Sequence, residues 1–344
     1  MEKVSIVEIE KIYTDRVILD VRTPAEYAQG HLPNAISFPL FTDEERVQVG
    51  TLYKQVSANH AFLKGLEFVG TKLANFVRQA QKIAPQKRVS VHCWRGGKRS
   101  SSMGWLLETA GFDVVTIVGG YKAYRTLVAQ SFESKPLKIM ILGGKTGCGK
   151  TLILKQLREA GEQIIDLEGL AHHKGSAFGW IGELPQPTVE QFENNLFDVF
   201  RQLDPNRRVW VENESRTIGS AVIPAGFWAQ MRGATLVHLE VPNEARIKHL
   251  VAIYTQTNVA ELILSFEKIQ KKLGQEALKS AIEALNQGDF ETATRVALKY
   301  YDKIYMQLFD NNTIIQKFIL DVSNATPNVA ARQLIDWANQ YFKN

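Results

Sequence analysis

Residues 137–151 read Leu137-Lys138-Ile139-Met140-Ile141-Leu142-Gly143-Gly144-Lys145-Thr146-Gly147-Cys148-Gly149-Lys150-Thr151, and they set the architecture of the chain around them. The apolar run at 137–142 predicts a buried strand, and residues 151–160, with Gly161 as a stop, predict a helix. Between the two, Gly144 to Thr151 matches the P-loop pattern G-x-x-x-x-G-K-T in full, in the strand-to-helix context the pattern requires. That spacing lets backbone N–H groups wrap a diphosphate, with Gly144, Gly147, Gly149, Lys150 and Thr151 as the binding residues. Lys150 reaches a terminal phosphate oxygen, and Thr151 can meet a Mg²⁺ ion where one is present. Cys148 fills a small-residue slot in the loop. Further strands are expected at 164–167, 209–212 and 235–241, so residues 136–242 form an α/β domain around this loop. Beyond 243 the pattern turns helical, with helices at 244–254, 259–273, 276–286, 292–310 and 330–341.

The parts needed for nucleotide hydrolysis are thin. The strand that should carry a metal-holding Asp reads Val209-Trp210-Val211-Glu212-Asn213-Glu214-Ser215-Arg216. Glu212 can take the place of the Asp, Asn213 stands where an acid is expected, and no nucleobase-reading motif is present. The loop therefore needs only to bind a diphosphate. Asp166-Leu167-Glu168-Gly169-Leu170-Ala171-His172-His173-Lys174-Gly175-Ser176 reads as a polar loop near the phosphates. Its adjacent histidines lack the i, i+4 spacing of a helical zinc pair, so no metal site is expected. Two readings stand: a plain surface loop, or a set of substrate contacts comprising His172, Lys174 and Ser176 with Glu212 and Arg216. Lys268, Lys272 and Lys279 share a helical face with Glu267 and Glu276 nearby, which points to a solvated face before a nucleic-acid contact.

The first 130 residues carry a second α/β alternation. Strands are expected at 16–21, 89–92 and 114–118, the last closed by Gly119-Gly120. Thr42-Asp43-Glu44-Glu45 has capping-box spacing and predicts a helix start. Residues 131–136 read as a short linker. After the strand ending at His92 comes Cys93-Trp94-Arg95-Gly96-Gly97-Lys98-Arg99-Ser100-Ser101. Glycines here let amides converge on an anion, a helix begins, and Arg95, Lys98 and Arg99 add charge. Each of these lowers a thiol pKa. Cys93 is thus a candidate nucleophile able to carry sulfur or selenium, with Arg95, Gly96, Gly97, Lys98 and Arg99 holding anions around it. The alternative is a structural cysteine beside a basic loop.

Composition agrees with this organisation. The 344-residue chain has a net charge of +5, and residues 1–135 hold 18 basic against 13 acidic side chains, so the basic excess lies in the first domain. A pI near 9.0 invites a nucleic-acid partner but on this length is weak support for one. With 45% hydrophobic and 22% charged residues the chain reads as globular and water-soluble. Two cysteines exclude a disulfide scaffold and a four-cysteine zinc site. The N-terminus lacks signal-peptide character, and no apolar run approaches the roughly 18 residues of a spanning helix. A cytoplasmic protein without membrane association is expected.

Leu19-Asp20-Val21-Arg22, Glu26-Tyr27 and Gly30-His31-Leu32-Pro33-Asn34-Ala35 resemble the opening signature of rhodanese domains. Cys93-x-x-Gly96-x-x-Arg99-Ser100 resembles their active-site loop, and Gly119-Gly120-Tyr121 their last strand end. This resemblance implies that Cys93 holds a chalcogen as a persulfide or perselenide, with Asp20 and Arg22 as supports. The rhodanese-like domain (1–130), the P-loop domain (136–242) and the helical C-terminal region (243–344) together form a narrow architecture. Phe41-Thr42-Asp43-Glu44-Glu45-Arg46, Val49-Gly50-Thr51-Leu52-Tyr53-Lys54-Gln55 and the two P-loop-domain stretches quoted above add to it. As a whole the chain resembles the bacterial tRNA 2-selenouridine synthase family. The resemblance implies replacement of sulfur by selenium in wobble 2-thiouridine of tRNA. It implies two steps, S-geranylation from geranyl diphosphate and then selenation from selenophosphate, with no further cofactor required and Mg²⁺ left open. The rival readings are a rhodanese-type sulfurtransferase coupled to an ATPase, and a nucleotide-gated chalcogen carrier.

Overall fold

The computed structural model describes residues 1–12, 14–310 and 316–341. The chain divides into two units, Met1–Gln130 and Ser131–Asn344. In the first, β1 (Glu2–Val4), α1 (Ile6–Ile12), β2 (Val17–Asp20), α2 (Pro24–Gln29), β3 (Ile36–Ser37), α3 (Asp43–Gln55), α4 (Ala58–Gly70), α5 (Leu73–Ile83), β4 (Arg88–His92), α6 (Lys98–Thr109), β5 (Asp113–Ile117) and α7 (Gly120–Ser134) follow in order. The strands form a sheet of order β1-β5-β4-β2-β3, parallel at every pairing. β4 is the middle strand, and its Val89 and Val91 are fully buried among Leu19, Val21, Met103 and Leu107. Ser90 and His92 between and after them are buried as well, so burial runs along the strand without alternation, as a parallel sheet covered on both faces demands. The capping box at Thr42 forms: its hydroxyl accepts from the Glu45 N–H at 3.2 Å, and the Glu45 carboxylate accepts from the Thr42 N–H at 2.9 Å. Such a cap is worth about 1 kcal/mol.

The expected linker at 131–136 is shorter than its composition suggests, because α7 runs through Ser134. Lys135 then donates from Nζ to the carbonyls of Phe200, Arg201 and Leu203 at 2.6–3.3 Å. A cation at unsatisfied helix C-terminal carbonyls is favourable, so the connecting residue is held.

The second unit contains β6 (Lys138–Gly144), α8 (Lys150–Glu159), β7 (Gln163–Ile165), α9 (Leu167–Ala171), α10 (Val189–Gln202), β8 (Arg208–Glu212), β9 (Thr217–Ile218), β10 (Ala221–Val222), α11 (Ala225–Arg232), β11 (Thr235–Glu240), α12 (Asn243–Tyr254), α13 (Val259–Lys268), α14 (Gln270–Leu273), α15 (Gln275–Asn286), α16 (Phe290–Asp310), β12 (Gln316–Asp321) and α17 (Pro327–Tyr341). Its main sheet has the order β12-β11-β6-β8-β7 and is also parallel throughout. β6 is the middle strand, so the P-loop leaves from the carboxyl end of the sheet's centre, where parallel α/β sheets bind ligands.

The C-terminal region is mostly helical, as its pattern predicts, with two differences: the helix expected at 259–273 breaks at Ile269 into α13 and α14, and a strand is added. Residues 316–321, which the sequence reading assigned to no element, pair in parallel with β11. Their strand character depends on a partner distant in sequence, and half of the short run faces solvent. α17 then covers α8: Leu334 and Ala338 are fully buried in the same cluster as Ile153, Leu154 and Leu157. α13, α15 and α16 build a separate cluster around Phe266, Leu278 and Leu285, into which Phe178 inserts. Among the described residues no helix is long and apolar enough to cross a membrane.

The last helix is therefore part of the P-loop unit's core. Leu334→Ala should lower the unfolding free energy of that unit by about 3 kcal/mol, read from its denaturant midpoint. A loss under about 0.5 kcal/mol, the scale of a surface substitution, would show that α17 is peripheral.

Candidate functional site

Each unit places a glycine-rich loop between the end of its middle strand and a helix N-terminus. In the first unit, β4 ends at His92 and α6 begins at Lys98. Cys93 lies at the base of the turn, 3% exposed. Its Sγ accepts from the Gly97 N–H at 3.3 Å and lies 3.3 Å from the Ser100 hydroxyl. Burial works against the thiolate, but hydrogen bonds from Ser100 and the Arg95 N–H, with the charge of Arg99, outweigh it and hold the thiol below its ordinary range. The expected reactive cysteine is thus placed where a thiolate is favoured.

The loop is locked from below. The Tyr121 N–H donates to the Cys93 carbonyl and the Lys122 N–H to the Trp94 carbonyl, both at 2.9 Å. Gly120 has φ +56°, and a Cβ there would lie 2.7 Å from the Gly96 nitrogen and 3.0 Å from that of Arg95, so only glycine fits. Arg22 stacks over the Tyr121 ring at 3.8 Å and pairs with Asp20 at 2.6 Å, both side chains being buried. Arg22 also donates to the Gly30 carbonyl at 2.7 Å. Asp20 and Arg22 are supports of the turn, one residue removed from the sulfur.

The cations around Cys93 differ in availability. Arg99 is half-buried and forked onto Glu26 at 2.5 and 3.1 Å. Arg95 and Lys98 are exposed with Gly97 on the outer side of the loop. Lys98 Nζ sits 4.9 Å from the centre of the Phe62 ring.

In the second unit the P-loop joins β6 to α8. Gly149, at φ +82°, is the residue before the helix, a left-handed turn that lets amides face an anion. Lys150 Nζ curls back on its own loop and donates to the Gly144 carbonyl at 3.1 Å. Burial opposes its charge, yet Cys148, Glu168, Glu214 and Tyr305 raise its pKa, so it remains an ammonium. Thr151 donates from Oγ1 to Glu168 at 3.2 Å. The same upward direction holds two nearby carboxyls toward their neutral form. Burial, then Asp166 and Glu168, push Glu212 well above the usual carboxylate range. Burial and Glu168 raise Glu214 against the pull of Lys150. A carboxyl held neutral donates a hydrogen bond where an ionised one would repel phosphate.

The remaining candidates are placed as follows. Glu212 is fully buried and accepts from the Leu167 N–H at 3.1 Å; it braces the loop after β7. His172 Nδ1 lies 2.9 Å from the Pro185 carbonyl. Lys174 is engaged within its own loop, donating to the Ile181 carbonyl at 2.9 Å and pairing with Glu183 at 2.9 Å. The Ser176 hydroxyl accepts from the Phe178 N–H at 3.2 Å. Arg216 is exposed. The loop does reach the phosphate side, because a Cβ on Gly175 would lie 2.6 Å from a Glu214 oxygen. Among the described residues no three His, Cys, Asp or Glu side chains gather to hold a metal ion.

Sequence reasoning missed the residues that buttress the P-loop from the C-terminal helices. Arg246, 2% exposed, donates to the Thr146 carbonyl at 3.0 Å and forks onto Asp302 at 2.7 and 3.0 Å. The Tyr305 hydroxyl accepts from the Gly144 N–H at 2.9 Å and lies 2.8 Å from His238 Nδ1. Burial pushes the Tyr305 hydroxyl up to about 12. Beside this framework opens an apolar pocket bounded by Thr146 of the P-loop with Phe178, Leu250, Tyr254, Phe266 and Tyr301.

An acid with a lowered pKa reacts as its anion at lower pH. The iodoacetamide reaction of Cys93, read by peptide-resolved mass spectrometry to separate it from Cys148, should reach half-maximum below the ordinary thiol value of 9.0. Ser100→Ala should move that midpoint upward by about one pH unit. An unshifted profile would remove the Ser100 hydroxyl from the account.

Comparison with known proteins agrees with the two loops. Residues 137–313 match the model of the tRNA 2-selenouridine synthase AAA domain, and residues 7–127 match the rhodanese-like domain. A tRNA 2-selenouridine synthase of Shewanella denitrificans is 36% identical over 84% of this chain and 87% of its own length. That of a Sulfurovum species is 33% identical over 86% and 89%, and that of Shewanella frigidimarina 34% identical over 94% and 85%. With a cysteine-bearing loop and a P-loop in the matched order and a family resemblance spanning most of both chains, the protein belongs to the tRNA 2-selenouridine synthase family.

Proposed function

We propose that the protein replaces sulfur by selenium in wobble 2-thiouridine of tRNA, first S-geranylating the base with geranyl diphosphate and then selenating it with selenophosphate. The observation that carries this reading is the apolar pocket against the P-loop. A nucleoside triphosphate asks for polar groups beside its phosphates to read ribose and base, whereas an apolar wall of Phe178, Leu250, Tyr254 and Phe266 matches a hydrocarbon in chemistry; the cavity it encloses is about 50 Å³, so a geranyl chain enters as these side chains move apart.

In the first step the thiocarbonyl sulfur attacks C1 of the geranyl group. The S–C bond forms as the C–O bond breaks, and the electron pair leaves with diphosphate. Lys150 and the loop amides stabilise that charge, an electrostatic role needing no hydrolysis. Where Mg²⁺ accompanies the diphosphate, Thr151 and Glu168 are the side chains placed to meet it, the sparse protein contribution usual for this ion. In the second step selenophosphate, held beside Cys93, attacks C2 through its selenium; the Se–C2 bond forms as the C2–S bond breaks and geranyl thiolate departs with the electron pair, and water then cleaves the P–Se bond, releasing phosphate and leaving 2-selenouridine. Arg95 and Lys98 supply the positive surface for the anionic donor and for tRNA phosphates.

Mass spectrometry of tRNA nucleosides after incubation with each donor alone and with both tests the reading. Geranyl diphosphate alone should give S-geranyl-2-thiouridine, and both donors should give 2-selenouridine. Lys150→Ala should lose the first product, and Cys93→Ala should keep it and lose the second. ATP hydrolysis abolished by Lys150→Ala with no geranylated base would favour an ATPase-coupled sulfurtransferase. Binding of tRNA with no modification under any donor would favour a chalcogen carrier.

A further inference from the structure

The first unit has an apolar groove that neither loop accounts for. It lies between α3, α4 and the first turns of α6, has a volume of about 430 Å³, and is walled by Leu40, Tyr53, Phe62, Leu66, Lys98 and Ser102. A second cavity shares Leu40, Phe62 and Leu66 and continues along α6 to Trp105. Tyr53 is 66% exposed, Leu66 52% and Trp105 60%. Apolar side chains gathered on one face of a water-exposed unit mark a binding surface, and this one is concave and of ligand size.

Its position argues for the occupant. The opening of α6 serves both features: Gly97 and Ser100 hold the Cys93 sulfur, while Lys98, Arg99 and Ser102 form the groove wall. The groove therefore begins within one helical turn of the residues that hold the sulfur. A cationic rim over an apolar floor suits a ligand with an anionic body and a hydrocarbon tail. Within the proposed reaction, the tail added at the P-loop must be held again where it is expelled, because departure of the thiolate requires C2 to face the selenium donor. A flat protein partner would not need a recess opening toward a reactive sulfur.

We propose that this groove binds the hydrocarbon tail of the S-prenylated nucleoside and so presents C2 to the Cys93 loop. The proposal rests on the geranylation reading above. α3 and α4 then have a chemical purpose: they lengthen the cysteine site by an apolar arm that selects the alkylated base over unmodified 2-thiouridine.

The test uses the full chain with an S-alkyl-2-thiouridine RNA whose tail ends in a photoreactive diazirine, with crosslinks mapped by peptide mass spectrometry. Crosslinks should fall on residues 58–70 and 98–106, and Leu66→Asp should lower their yield about tenfold, the scale set by losing a few buried methylenes. Phe62→Asp, at another exposed wall position, should act alike, and circular dichroism checks that both variants stay folded. In selenation assays Leu66→Asp should raise the KM of the S-geranyl RNA about tenfold and leave an S-ethyl RNA unchanged. Crosslinks confined to the P-loop unit, equal loss with both RNAs, or concentration-dependent crosslinks between two copies through α4 would overturn the proposal. Crosslinks at the groove without any selenation would sustain it while refuting the reaction, and selenation with crosslinks elsewhere would do the reverse.

Discussion

A middle strand of a parallel sheet is hydrogen-bonded on both sides up to its last residues, and the chain leaving it must turn sharply before a helix can begin. That turn leaves amides unpaired at a helix N-terminus, and such amides attract an anion. β4 and β6 both end this way. One turn carries a thiol, the other an ammonium, and the remaining architecture holds these two turns rigid. In the first unit the Arg22–Asp20 pair, Tyr121 and Gly120 do so. The buried ion pair is a weak source of net stability, but loss of one partner would strand a buried charge beside the cysteine loop.

The P-loop is held by residues far along the chain. Arg246 on α12 and Tyr305 on α16 bind its carbonyl and amide groups, and α17 fills the core beneath α8. The helical C-terminal region thus buttresses the P-loop and encloses the apolar pocket at its edge. Raised pKa values at Glu212 and Glu214 beside an ammonium that stays charged fit a site that receives an anion. None of this requires a hydrolytic metal centre at β8, where Glu212 is spent on the Leu167 amide.

Much of this was legible from local pattern. Glycines and cations after an apolar strand located both loops, and Thr42 with Glu45 located the start of α3, because these signals act within a few residues. β12 escaped notice since its hydrogen bonds go to β11, and Arg246, Asp302 and Tyr305 because ordinary helical residues acquire their role only through packing. Composition showed Arg95, Lys98 and Arg99 as three equal cations; structure separates the Glu26-paired Arg99 from the two exposed ones. Lys174, a candidate substrate contact by its sequence, is engaged instead with the Ile181 carbonyl and Glu183.

The central claim is that two complete and separable chemical sites share one chain, each with its own anion turn and apolar recess. Mixing the Lys150→Ala and Cys93→Ala proteins with 2-thiouridine tRNA and both donors tests it most directly. The account predicts that the mixture forms 2-selenouridine although neither variant does so alone. A mixture as inactive as its components, with each variant folded and binding tRNA, would contradict it.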